Sequence, residues 1–339
     1  MVLTASKAPK AIDLANFDKS VKPGDDFYQY VNGNWLKNNP LPASETRWGS
    51  FNVLDDITRH RVLTILDETA KQKDAPEGST TQKIRDFYLS AMDTSLIEES
   101  GFLPIIPIIE RINKVSDKSQ LPALVAYLHT IGISSFFNFY VGQDDKKSAQ
   151  IIITLYQGGL GLPDRDYYLK DDKESVDIRA KYVSHIKNMF LLMSIQPEGN
   201  SVANLLNFET ELARISRSRV ALRDPESNYN KVITEDFNKE MSAFSIEKYF
   251  GSFGVKEKEI LVWQPEFVKR LNELILIMPL EDLKFYLQWE VLNSRASTLS
   301  SDFVKTDCHF YQGVLSGAKV MRPRWKRVLG TMNGSMGEL

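Results

Sequence analysis

Apolar residues recur at helical spacing along most of this chain, and one stretch switches to the alternation of strands. Pro23-Gly24-Asp25-Asp26 punctuates the chain and offers carboxylate caps to a first helix, which runs through Phe27 and Tyr30 towards Trp35 before Pro40 and Pro42 break it. A longer second helix is predicted from near Ser44 to about Ala70. At ~100° per residue, Trp48, Phe51, Leu54, Val62, Ile65 and Leu66 fall within one apolar stripe. After the loop Pro76-Glu77-Gly78-Ser79, a helix starts at Thr80/Thr81 and passes through Ile84, Phe87 and Tyr88. Further helices are predicted near residues 104–115 and 119–131.

The period then changes. Phe137, Phe139 and Val141, a polar turn at Asp144-Asp145-Lys146-Lys147, and Ile151, Ile153 and Leu155 read as a β-hairpin. Gly158-Gly159-Leu160-Gly161-Leu162-Pro163 holds too much glycine for helix or strand. Helices resume at about 174–194 and 200–217, with an interruption around Asp224-Pro225-Glu226-Ser227-Asn228. In residues 280–301, Leu280, Leu283, Leu287 and Val291 form one apolar face and Phe285, Trp289, Leu292 and Leu299 the opposite one. A helix apolar on both sides belongs in the middle of a large lobe. There is no internal repeat, low-complexity tract or heptad array.

Composition narrows the function classes. At 339 residues the chain exceeds the usual size of one domain, and 42% hydrophobic with 25% charged residues is ordinary for a globular protein. A net charge of −2, with no Lys/Arg block that suggests a phosphate-tracking groove, gives no reason to expect nucleic acid. Cys308 is the only cysteine, which excludes an intrachain disulfide framework. Its neighbour His309 would point to a different face of a strand or helix, so the pair reads as structural rather than nucleophilic. No run approaches the ~18 apolar residues of a membrane span. Met1 to Lys10 lacks the apolar core of a signal peptide, so the expectation is a terminus from which any export signal has been removed.

Catalytic zinc needs three protein ligands, commonly an H-E-x-x-H helix that sets two His one turn apart. The four histidines, His60, His129, His185 and His309, are never followed by Glu and never four residues apart. No catalytic or metal-ligating residue is therefore assigned. The Gly-rich run contains no G-x-G-x-x-G and no G-K-[ST], so a tight structural turn accounts for it better than a nucleotide loop. Arg165, between Asp164 and Asp166, reads as a lock on that turn.

Six ordered blocks nevertheless carry a family resemblance. Pro23-Gly24-Asp25-Asp26-Phe27-Tyr28-Gln29-Tyr30-Val31-Asn32-Gly33-Asn34-Trp35 resembles P-x-D-D-F-Y-x-Y-x-x-G-x-W, and Arg47-Trp48-Gly49-Ser50-Phe51 resembles R-[YW]-G-x-F. Residues 159–168 match G-L-G-L-P-x-R-D-Y-Y. Residues 287–303 resemble a core-helix block, while 310–317 and 322–327 match F-Y-x-x-x-L-x-G and R-P-R-W-[KR]-R. These blocks resemble those of the neprilysin-like (M13) metallopeptidases, and Gly24, Asn32 and Val328 stand where animal members commonly carry Cys, so the chain resembles the bacterial, PepO-like branch.

The resemblance implies a mainly α fold: a large multi-helical lobe with a small β-hairpin, the non-catalytic N-terminal part of a two-lobed thermolysin-like peptidase. Residues 1–20 would be an extension and 21–339 the cavity-covering lobe, with the zinc lobe and its H-E-x-x-H expected beyond Leu339. It further implies Zn²⁺ in the intact enzyme but none in this chain, short peptides as substrates, and bacterial export to the periplasm or surface, with a cytoplasmic location as the alternative. Arg47 and Phe51 are the substrate-binding candidates, four residues apart and thus on one side of a helix. Asp55 stands where the family can carry a second Arg, so no two-Arg clamp is expected. The rival reading is a stand-alone helical module that binds peptides or a protein without cleaving them.

Overall fold

The computed structural model describes residues 12–337. The start read at Met1–Lys10 and the last two residues, Glu338 and Leu339, lie outside the described residues. In chain order the helices are α1 Phe27–Asn38, α2 Ser50–Ala70, α3 Thr80–Met92, α4 Thr94–Ser100, α5 Ile106–Asn113 and α6 Leu121–Thr130. Strands β1 Phe137–Asp144 and β2 Lys147–Gln157 follow, then α7 Asp166–Leu169, α8 Lys173–Leu192, α9 Ser201–Ile215 and α10 Pro225–Asn228. The remainder is β3 Lys231–Ile233, α11 Thr234–Lys239, α12 Ile246–Gly251, β4 Glu259–Val262, α13 Pro265–Ile277, α14 Leu280–Arg295, α15 Ser301–Cys308, a π-helical turn His309–Val314, and α16 Arg324–Met336. No helix among the described residues is long and apolar enough to cross a membrane.

The chain divides into two compact units, residues up to Met92 together with those from Ser316, and Asp93–Leu315. In the first, α1 starts as expected: the Asp26 side chain accepts from the Gln29 N–H at 2.8 Å. Leu66 of α2, Tyr88 of α3, and Val328, Leu329 and Met332 of α16 form its core. The basic block 322–327 serves this packing. Arg322 forks onto Glu45 (3.0 and 2.6 Å), Lys326 pairs with Asp56, and the Arg324 Nε–H donates to the Ala91 carbonyl at 3.0 Å. The second helix is shorter than the apolar stripe suggested. It begins at Ser50 rather than near Ser44, after an extended Gly49 (ψ 179°), so the residues before it form a loop. The stripe also splits: Leu66 is buried, whereas Phe51, Leu54 and Ile65 face solvent.

The second unit is built around α14, where Leu283, Tyr286, Leu287, Trp289, Val291 and Leu292 are all fully buried. Burial on both sides agrees with the two apolar faces read in the sequence. The hairpin pairs antiparallel as expected, with Phe137 opposite Gln157 and Val141 opposite Ile153. It belongs to a larger sheet of order β1-β2-β4-β3, in which β4 runs parallel to β2 and antiparallel to β3. Two strands of three and four residues gave too short an alternation to read.

The loop Gly158–Pro163 leaves the end of β2 and lies against α14 and α8. Gly159 has φ +78°, and a Cβ there would meet the Tyr286 hydroxyl at 2.8 Å and the Phe136 carbonyl at 2.9 Å. At Gly161 a Cβ would sit 1.9 Å from the Tyr182 hydroxyl. Gly161→Ala should therefore destabilise the protein by about 1–3 kcal/mol through overpacking. Gly330→Ala should stabilise it by about 0.5–1 kcal/mol, because helix interiors disfavour glycine and a Cβ at Gly330 meets nothing within 4 Å. Urea unfolding of the two variants checks both signs; equal effects would show that close approach of backbone to tyrosine is not what selects glycine at 161.

Candidate functional site

Arg47 lies in the loop before α2, and Phe51 in the first turn of that helix. The shared helical face inferred from their i, i+4 spacing is corrected: the pair straddles the N-cap at Gly49. The loop is nonetheless positioned, because Glu45 holds Arg322 and the Ala43 carbonyl accepts from the Lys319 N–H at 2.9 Å. Arg47 is exposed and Phe51 is 84% exposed. With Leu54, Ile57 and Ile65 also exposed, α2 carries an apolar stripe along its solvent side.

The polar chemistry of the second unit gathers under the Gly-rich loop. Glu209 of α9 is fully buried; the Tyr168 hydroxyl donates to its Oε2 at 2.8 Å and the Tyr182 hydroxyl to its Oε1 at 3.0 Å. The Trp289 indole N–H donates to the Tyr182 oxygen at 2.8 Å, and the Leu162 N–H to the Tyr168 oxygen at 2.8 Å. Tyr286 donates to the Gly159 carbonyl and Tyr311 to the Gly161 carbonyl, each at 3.1 Å. Burial pushes Glu209 up to about 8, opposed by its hydrogen bonds from Tyr168, Tyr182 and Gly161. Burial likewise raises Glu290 well above the carboxylate range, with the Glu209 charge acting the same way.

Above this network is a cavity of about 590 Å³, walled by Gly158–Arg165, Arg217, Arg219, Leu222, Glu290 and Tyr311. Arg165 does not lock the turn as its flanking aspartates suggested. Asp164 pairs with Arg219 and Asp166 with Lys170 (3.1 Å), while Asp164 Oδ1 accepts from the Asp166 N–H at 2.8 Å. The buried Nε of Arg165 has no partner, and neither has the buried Oε1 of Glu290.

The histidines do not converge. His129 is held by Tyr249 (2.7 Å) and Ser135 (3.1 Å), and His185 lies flat on Phe310 with ring centroids 4.7 Å apart. Burial lowers both imidazoles to about 4. His60 on α2 and His309 are exposed, whereas Cys308 beside His309 is buried. Among the described residues no three His, Cys, Asp or Glu side chains cluster as metal ligands, so these residues do not fit a zinc ion.

The carboxyl–tyrosine network escaped the sequence reading. Its signal was present: Glu209 occupies the apolar face of α9, between Leu205 and Leu212 at i+4 and i+7 spacing, and Glu290 interrupts a helix otherwise apolar on both sides.

This helix-rich architecture is that of the N-terminal halves of larger peptidases. The chain belongs to peptidase family M13, whose N-terminal model matches residues 23–339. It is 28% identical to endothelin-converting enzyme 1 of Rattus norvegicus over 344 residues, covering 96% of this chain and 44% of that protein. The crystal structure of the Mycobacterium tuberculosis zinc metalloprotease Zmp1 in complex with an inhibitor superimposes with a TM-score of 0.92 at 29% identity, over 97% of this chain and 51% of the other. PepO from Lactobacillus rhamnosis HN001 shares the fold, with a TM-score of 0.80 at 19% identity over 93% of this chain and 50% of the other. The chain thus spans about half the length of these relatives.

The buried carboxyls give stability a defined pH dependence. Between pH ~6.5 and ~8 the unfolded chain has released the Glu209 proton, while the folded chain, with Glu209 at about 8, still binds it. Stability therefore falls as pH rises through this window, by up to about 2 kcal/mol from Glu209, with Glu290 adding in the same direction. His129 and His185, lowered to about 4, act below this window, where falling pH destabilises. Glu209→Gln should flatten the decline even if it lowers stability overall. Urea unfolding at the two pH limits decides, and an unchanged slope in the variant would refute the assignment.

Proposed function

We propose that this chain is the substrate-facing, helical N-terminal half of a zinc metalloendopeptidase that hydrolyses short peptides. The zinc and its ligands would reside in a second half of the same enzyme. The observation that carries this reading is the family match from residue 23 to 339 in a chain spanning about half its relatives' length. When bound, the metal would polarise the scissile carbonyl and lower the pKa of a bound water.

Within this division of labour, residues 1–20 are an extension, 21–339 restrict access to the cavity, and the enzyme is exported in bacteria. Arg47 and Phe51 supply substrate contacts from a fixed loop and an exposed helix start. The guanidinium of Arg47, exposed and without a protein partner, is available to fork onto a peptide carboxylate. Beyond Phe51, the exposed stripe Leu54, Ile57 and Ile65 supports a two-part enzyme, since a face of this kind on a helix marks an interaction surface. Its occupant here is the zinc-bearing half.

Two measurements test the proposal. The present chain, chelator-treated and reloaded, should retain no stoichiometric zinc by metal analysis and should cleave no peptide. One tightly held Zn²⁺ per chain with chelator-sensitive peptidase activity would overturn the division of labour. In the longer enzyme with its H-E-x-x-H half, Arg47→Ala should lower kcat/KM roughly ten- to hundred-fold, chiefly through KM, and less for C-terminally amidated peptides. A large drop in melting temperature with unchanged kinetics would make Arg47 structural instead.

A further inference from the structure

The four-stranded sheet has two edges, and they are finished differently. At one edge, β3 is three residues long, carries Lys231 and runs directly into α11, as guarded edges do. At the other, β1 runs for eight residues without Pro, Lys or Arg, and its one charged residue is Asp144, beyond a bulge at Gln143/Asp144. The register decides which way its backbone points. The Leu155 carbonyl of β2 accepts from the Trp263 N–H at 2.9 Å, and the Gln157 N–H donates to Gln264 Oε1 at 3.0 Å. These residues of β2 turn their backbone groups away from β1, and so does Ile153 between them and the turn, because direction alternates along a strand. Phe139 opposite Leu155 and Val141 opposite Ile153 are therefore non-hydrogen-bonded pairs, whose N–H and C=O groups on β1 point out of the sheet edge. Among the described residues of Asp93–Leu315, none of these four groups has a hydrogen-bond partner, and Val141 is 60% exposed.

We propose that the outer edge of β1 is a docking site for an extended, uncharged peptide segment, which adds there as a further strand. Unpaired donors and acceptors in alternation are what another extended backbone satisfies. A strand laid along β1 sets its side chains alternately on the two faces of the sheet. On one face they meet the half-buried rings of Tyr140, Tyr156 and Trp263, whose centroids lie within 6.0 Å of one another. On the other they meet Val141 and the ring of Phe139, which is backed by His129, Tyr249 and Phe253. Aromatic and β-branched neighbours across strands stabilise one another, so the edge favours peptides rich in such residues. The open stretch is short. It lies between Phe137, whose N–H is taken by the Ser135 carbonyl at 2.6 Å, and the bulge at Gln143/Asp144. At ~3.4 Å per residue, Phe139 to Gln143 spans about 17 Å. A strip of that length covers far less than the ~800 Å² per partner of a stable interface between folded proteins, so a short linear segment fits it better than a second copy of this chain. The choice of a peptide as occupant rests on the reading of this chain as part of a peptidase.

The test uses the 339-residue chain and a dansyl-labelled, terminally blocked pentapeptide of alternating valine and threonine, with its fully N-methylated counterpart as control. Fluorescence anisotropy should show one peptide bound per chain, and the N-methylated peptide should bind at least about tenfold more weakly, since it has no N–H to donate. Hydrogen exchange locates the contact. The amides of Phe139 and Val141 should gain protection when peptide is bound, whereas those of Tyr140 and Gly142, which face β2, should change little. Val141→Pro removes an outward N–H and leaves the ladder to β2 intact, as edge positions of this kind allow. It should cost at least about tenfold in affinity, while Val141→Thr, which keeps the N–H, should bind within about twofold of the unaltered chain. Should Val141→Pro not fold, the exchange pattern of the unaltered chain decides alone. No binding at millimolar peptide, or binding that leaves exchange at Phe139 and Val141 unchanged, would overturn the proposal. A dimer seen by sedimentation and lost in Val141→Pro would overturn it too, by making the edge a contact between copies. No step involves zinc, so a negative result leaves the metal analysis and the Arg47→Ala kinetics standing, and their failure would leave this binding standing.

Discussion

A carboxyl group denied all contact with water organises the larger unit of this protein. Glu209 can be buried because two tyrosine hydroxyls reach it, and those tyrosines are themselves fixed by Trp289 and by the Leu162 N–H. Removing either partner would leave a buried polar group unsatisfied, a penalty of about 1–3 kcal/mol per group. The network joins α7, α8, α9 and α14 to the loop after β2. It thereby dictates glycine at 159 and 161, where a single methyl would displace a tyrosine oxygen. The Gly-rich motif is the backbone's accommodation to this network.

That constraint shapes what lies above it. With the loop pressed onto Tyr182, Tyr286 and Tyr311, its residues also form one wall of a cavity of about 590 Å³. The smaller unit follows a different economy. Its core is five buried side chains, its basic block is used for ion pairs that fix the loop before α2, and much of α2 remains uncovered. One unit buries its polar chemistry, and the other displays apolar surface.

Much of the helical skeleton was legible because it follows from periodicity and punctuation. The Asp26 cap, the start of α3 near Thr80, the hairpin turn at Asp145-Lys146 and the two-sided burial of α14 all follow from local residue order. Four features were not legible, and all but the start of α2 depended on partners distant in sequence. The stripe on α2 divided because only Leu66 and its neighbours meet α3 and α16, and the helix start shifted because Gly49 is extended. The strands β3 and β4 exist through pairing with β2 and with each other, not through their own pattern. Arg165 looked locked by its neighbours in sequence, yet Asp164 and Asp166 found Arg219 and Lys170.

The proposal tested most directly is that this chain is the substrate-facing half of a two-part peptidase, its first unit completed by the zinc-bearing half. Hydrogen exchange compares α2, Ser50–Ala70, with α14, Leu280–Arg295, in this chain alone and in the longer enzyme. The account predicts that α14 is strongly protected in both, because its core is complete within its own unit, whereas α2 exchanges faster in the isolated chain and gains protection in the longer enzyme. Equal protection of α2 and α14 in the isolated monomer, unchanged in the longer enzyme, would contradict it.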